Sequence, residues 1–138
     1  MTRINIIPPK DLYDQHLIAE YREITMIPAA LKRTLNSKQG LILFKIPKTY
    51  TLNTGHVYFF YNKGKYLYNR YHEIILEMQN RGFRPNIKRL FPKEIFINNN
   101  LYNDWRPSKK DFEIIRKRIK RKLDKRPGWY RKTIHGVH

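Results

Sequence analysis

Apolar side chains recur at helical spacing in three stretches of the chain. Leu12, Leu17, Tyr21, Ile24, Leu31 and Leu35 form one stripe and predict a helix over 11–35. Pro28 lies inside that stretch. A proline has no N–H, and its ring crowds the preceding turn, so a kink or break is expected there. Leu67, Tyr71, Ile74, Ile75 and Met78 predict a second helix over 63–81. Gly82 stands where a left-handed C-terminal cap belongs, and apolar Phe83 follows it. Phe112, Ile115, Ile119 and Leu123 mark a third helix. Ser108, with Asp111 three residues later, reads as a capping box at its start, and Pro127-Gly128 ends it.

The connections are long. Residues 40–61 are rich in Gly, Thr and aromatics without a clear period, and predict loop and turn packed onto the helices. Residues 84–107 hold Pro85, Pro92, Pro107 and the run Asn98-Asn99-Asn100. They predict irregular chain with one short helical turn near 93–97. The 138 residues show no internal repeat or low-complexity linker. The expected fold is all-α: a single compact domain over 1–138, with three main helices and long ordered connections.

Charge changes this picture most. Lys and Arg number 29 against 11 Asp and Glu, a formal net charge of +18. Such an excess repels itself in a folded domain, and a polyanion relieves it. Nucleic acid is the commonest such partner. The third helix concentrates the excess in Arg116, Lys117, Arg118, Lys120, Arg121, Lys122, Lys125 and Arg126, with no acidic residue between Glu113 and Asp124. Like charges four apart, such as Arg118 and Lys122, cost a few tenths of a kcal/mol per pair. The helix therefore reads as a phosphate-binding ridge, which positions a protein on DNA without reading sequence. Trp129 and Tyr130 follow directly. They suit either stacking on bases or capping the core.

The absence of cysteine excludes disulfides, thiolate zinc sites and cysteine nucleophiles. No apolar run approaches the ~18 residues of a membrane span, and the opening MTRINIIPPKDL has no signal-peptide block. The chain is expected to be intracellular, away from membranes, and monomeric.

Candidate chemistry lies at the N-terminus and on the first helix. Thr2 is small, so removal of Met1 is expected to expose its α-amine. An α-amine has a pKa near ~7.7–8.0, against ~10.4 for lysine, and surrounding cations lower it further. Such an amine can attack a sugar C1′ and form a Schiff base. Alone this is a common opening. On the first helix His16, Glu20 and Glu23 fall at i, i+4 and i+7 on one face, with Arg22 beside it and Gln15 next to His16. A carboxylate there could stabilise developing oxocarbenium charge and later take a proton. The same spacing also describes an ordinary polar face, with His16 a hydrogen-bonding surface residue. No His/Asp/Glu group has metal-ligand spacing, so neither metal nor cofactor is expected.

Several blocks in order carry a resemblance: MTRIN, DQHLIAEYRE over 14–23, TGHVYFFYNK over 54–63, RGF over 81–83 and RPGWY over 126–130. With them the chain resembles the pyrimidine-dimer DNA glycosylase/AP lyase family of the phage endonuclease V type; residues 84–107 match poorly. The resemblance implies a repair enzyme acting on double-stranded DNA. The α-amine of Thr2 would attack C1′ of the 5′ nucleoside of a cyclobutane pyrimidine dimer. The resulting imine would carry a β-elimination that nicks the strand, with Glu23 essential. It implies DNA contacts at Arg3, Gln15, His16, Arg22, Arg118 and Lys122, and dimer recognition near Trp129 and Tyr130. It also implies bent DNA with a flipped base opposite the lesion. The family commonly has Arg where this chain has Met26, and the tail after Tyr130 departs as well. Two alternatives stay open: the same chemistry on another damaged base or on abasic sites, or a non-catalytic DNA-binding module. The charge excess predicts a steep loss of DNA affinity as salt rises.

Overall fold

Pro28 divides the first predicted helix in two. In the computed structural model, which describes residues 3–133, helix α1 spans Asp14–Glu23 and α2 spans Met26–Leu35. A helical proline clashes with the carbonyl four residues earlier, here that of Ile24. The chain accordingly breaks at Ile24-Thr25, one turn before the proline. Pro28 then lies in the first turn of α2, where its missing N–H would have had no intrahelical partner. The expected three main helices are thus corrected to four of ten residues or more among the described residues. The apolar stripe survives the break, with Leu17, Ile24, Ile27 and Leu31 fully buried.

The expectation for 40–61 is corrected too. Helix α3, His56–Phe59, runs into a 3-10 turn at Phe60–Asn62, and a second 3-10 turn covers Leu43–Lys45. His56, Phe59, Phe60 and Tyr61 are all buried, so the segment has no polar face to reveal a helical period.

The other helices follow their local signals. Helix α4 spans Gly64–Asn80. Gly82 adopts φ 88° behind it, and the N–H groups of Gly82 and Phe83 donate to the carbonyls of Gln79 and Met78 at 3.0 and 2.9 Å. That pairing is a Schellman cap. Helix α5, Glu94–Asn98, is the short turn expected within the irregular segment. Helix α6 spans Lys109–Lys125 and opens on the reciprocal Ser108–Asp111 capping box.

The irregular segment packs tightly at the start of α4. A Cβ on Gly64 would lie 2.4 Å from the Phe96 ring, so only glycine admits this approach. The Gly64 N–H donates to the Leu101 carbonyl at 3.0 Å. Behind it an aromatic cluster of Tyr50, Phe59, Phe60, Tyr66 and Trp105 fills the core. Ile4, Asn5, Ile6 and Ile7 run through this interior, each at most 4% exposed. Arg81, also buried, ties α4 to α1 and to the preceding loop through Glu77, Asp14 and the Pro9 carbonyl. Among the described residues there is no strand, and no helix is long and apolar enough to cross a membrane.

Candidate active site

The N-terminal segment is held mainly by side chains. The Ile4 N–H donates to His56 Nε2 at 2.8 Å, and the Tyr50 hydroxyl donates to the Ile4 carbonyl at 2.8 Å. The Asn5 N–H and its Nδ2 both donate to Glu20 Oε1, at 3.0 and 2.9 Å. Arg70 grips the same carboxylate from Nε at 2.7 Å and Nη2 at 3.1 Å, and its Nη1 donates to the Ile7 carbonyl at 2.6 Å. Between these anchors Ile6 takes φ 49°, and the Ile7 N–H closes a tight turn onto the Asn5 carbonyl at 2.5 Å. A β-branched residue at positive φ is strained, and it persists only where its surroundings over-determine it.

Glu20 therefore does not join an exposed polar face with His16 and Glu23. It is 1% exposed and ion-paired to Arg70. Its position continues the buried stripe of Leu17, Ile24 and Ile27, and a charge on that stripe needs a buried partner.

Arg3, Asn5, His16, Ala19, Glu20, Glu23 and Arg118 line one recess of about 50 Å3. Three separate segments meet there: the N-terminal segment, α1 and α6. The recess thus holds two carboxylates, Glu20, committed to Arg70 and Asn5, and Glu23, which shares the lining with Arg3 and Arg118. Burial, and then the charge of Arg3, loosens the hold of Arg118 on its proton. His16 is half-buried on the same wall. Burial, then Arg118 and Lys122, push its pKa down to about 4, so it is neutral at physiological pH. Two buried atoms on the wall, Asn5 Oδ1 and His16 Nδ1, have no hydrogen-bond partner.

The tail packs onto α1 beside His16. Gln15 Nε2 donates to the Trp129 carbonyl at 2.7 Å, and its Oε1 accepts from the Arg131 N–H at 3.0 Å. Asp14 accepts from the Thr133 hydroxyl at 2.6 Å. Burial alone would raise the Asp14 pKa, but hydrogen bonds from Thr133 and then Arg81 hold it below the ordinary carboxylate value. These contacts stack Tyr130 on His16, with ring centroids 4.7 Å apart. Trp129 stays 48% exposed under the Arg126 guanidinium, which lies 4.5 Å from its ring.

Of the residues expected at the site, the fold brings Arg3, His16, Glu23 and Arg118 to one recess. Tyr130 joins them through His16, and Gln15 through the tail. Lys122 is exposed on α6 and acts on His16 through its charge. Arg22 is exposed on α1 and does not line the recess. Met26, 54% exposed, opens α2 three residues after Glu23. Thr2 lies outside the described residues; one peptide bond joins it to Arg3. The clamp of Tyr50, His56 and Arg70 was missed in the sequence, although His56 stands in one of the resembling blocks. Among the described residues no group of three His, Cys, Asp or Glu is placed to hold a metal ion.

Two neutral histidines make the fold sensitive to acid. Burial also pushes His56 down to about 4, against a weaker upward pull from its hydrogen bond to the Thr51 carbonyl. Unfolded histidine titrates near ~6.5, so between about 6.5 and 4 the unfolded chain binds more protons. Stability is therefore full above that window and falls as pH falls through it. The expected loss is on the order of 2–3 kcal/mol for His56 and less for His16. Urea midpoints measured from pH 7 to pH 4 check this; a flat profile would contradict it.

A family model described as pyrimidine dimer DNA glycosylase matches residues 1–90. The match covers the N-terminal segment, α1 and the clamp residues, and ends before α6 and the tail.

Proposed function

The chain belongs to the pyrimidine dimer DNA glycosylase family, and we propose that it cleaves the glycosidic bond at dimers and then nicks the strand as an AP lyase, through a Schiff base on the Thr2 α-amine. The amine lone pair attacks C1′ and the base departs with the glycosidic electrons. The attached nitrogen gives up a proton, and its lone pair then breaks the C1′–O bond of the ring, whose oxygen leaves with the bonding pair and takes up a proton, so that a protonated imine remains. Removal of a C2′ proton expels the 3′ phosphate and nicks the strand. Glu23 stabilises positive charge at C1′ as the base leaves, and serves as proton acceptor for the elimination. Arg3, Arg22, Arg118 and Lys122 bind phosphates, and Trp129 and Tyr130 lie against the distorted duplex.

One observation carries the proposal. Glu23 shares a recess with Arg3, the residue bonded to Thr2, and with Arg118 of the cationic helix. A carboxylate between phosphate-binding groups, beside the chain's own start, fits an amine nucleophile on a DNA strand. His16 is neutral, so it adds no charge to the recess and leaves the electrostatic role to Glu23.

Borohydride trapping tests the proposal. Incubated with dimer-containing duplex or with abasic duplex, the protein is expected to form a covalent adduct on both, mapping by peptide sequencing to the Thr2 amine. Adduct on abasic DNA alone would move the substrate away from dimers. No adduct on either, or an adduct on a lysine, would overturn the Schiff-base mechanism.

A further inference from the structure

We propose that His56 and Tyr50 are positioning residues for the reaction: between them they hold both backbone polar groups of Ile4, and so aim the chain's N-terminal amine at C1′. The inference rests on the Thr2 reading above.

In helices and sheets the N–H and C=O groups pair with other backbone groups. At Ile4 both pair with side chains instead, at 2.8 Å each, and both side chains come from the segment 50–56. Ile4 is two residues from Thr2, so a tilt at Ile4 is carried to the attacking nitrogen. Effective molarity depends on such alignment, and about 1 Å of misplacement can cost about 100-fold in rate.

The clamp is itself fixed. His56 Nδ1 pairs with the Thr51 carbonyl at 2.8 Å, so that nitrogen carries the hydrogen and Nε2 is left as acceptor for Ile4. His56 is 1% exposed, wedged edge-on against the rings of Tyr50 and Phe60. Tyr50 is 3% exposed and stacks on Trp105. Neither ring can turn without disturbing the aromatic core. Downstream, the strained turn at Ile6 stores a tendency to relax. Glu20 and Arg70 restrain it from the Asn5 and Ile7 side, and His56 and Tyr50 restrain it from the Ile4 side. Removing the second pair frees the end that carries the nucleophile.

The test compares His56→Phe, which keeps ring packing but has no acceptor, with His56→Gln, whose amide can accept from Ile4 and donate to Thr51. Three quantities are measured: thermal unfolding, affinity for duplex carrying an uncleavable tetrahydrofuran abasic analogue, and the single-turnover rate on abasic DNA. His56→Phe is expected to slow the single-turnover step on the order of 10- to 100-fold, with affinity essentially unchanged. His56→Gln should restore most of the rate. A folded His56→Phe protein that cleaves as fast as the parent overturns the proposal, as does a loss confined to affinity. If His56→Phe does not fold, Tyr50→Phe takes its place, because it removes one hydroxyl only. A slower single-turnover step at unchanged affinity supports the clamp, and an unchanged rate overturns it. These failures stay distinct from failure of the Thr2 mechanism, which appears as a parent protein that borohydride does not trap at its N-terminus.

Discussion

Glu23→Gln is expected to abolish strand cleavage while leaving DNA binding intact. The substitution keeps the shape of the side chain and removes its charge. That charge lies in a recess it shares with Arg3 and Arg118, so its loss makes the recess more cationic and should hold phosphates at least as well. Without the Glu23 charge, the carboxylate left in the recess is Glu20, which is already committed to Arg70 and Asn5, so positive charge growing at C1′ loses its offset and the C2′ proton its acceptor. Removal of a positioned acid–base group costs about 100- to 10,000-fold, and here one side chain serves both steps. Single-turnover cleavage of abasic duplex and a gel-shift titration with the same DNA separate the two effects. If binding collapses along with cleavage, Glu23 is a structural residue.

Arg70→Met is expected to cost about 3–5 kcal/mol, the toll of leaving a buried carboxylate without its partner. Glu20 and Arg70 are both nearly fully buried, and their charge-assisted hydrogen bonds are 2.7 and 3.1 Å long. Burial would drive the Arg70 proton off, but the Glu20 charge reverses the balance and raises its pKa. A domain is stable by only about 5–15 kcal/mol in total, so urea unfolding should show the loss plainly. The double variant Glu20→Met with Arg70→Met should recover much of the stability, because apolar groups can replace a buried ion pair at little net cost. It should not recover cleavage, because Asn5 then has no carboxylate to hold it. A shift below about 1 kcal/mol in Arg70→Met would mean that water reaches Glu20 and the pair is not a buried one.

These two carboxylates show how far the sequence could be read. They lie three residues apart on α1, and spacing alone assigned both to the same face as His16. The periodic stripe of Leu17, Ile24 and Ile27 passes through position 20, yet nothing nearby in sequence marks Arg70 as the partner. Local signals fared better: the Ser108–Asp111 box and the Gly82 cap each act within a few residues, and both formed as expected. The effect of Pro28 was legible in kind but displaced by one turn, because a proline disrupts the carbonyl before it. The segment 56–62 was not legible as helix, since burial on nearly every side erases the polar–apolar alternation. For the site, residue chemistry alone left Glu23 and His16 indistinguishable from a solvated face. The resemblance singled them out, and the fold placed them with Arg3 and Arg118.

The tail that meets α1 has a consequence for the order in which the molecule assembles and loosens. Its contacts join residues 114 to 119 apart in sequence. Loops of that length carry a large closure entropy, so such contacts form after the local ones have made a surface to receive them. They are also few, and hydrogen bonds at exposed positions open at low free energy. The aromatic wall over His16 is thus the last part of the site to arrive and the first to breathe. Amide exchange at Arg131 and Thr133 should run well ahead of exchange in α4, so Tyr130 can lift from His16 while the clamped N-terminal segment stays in place.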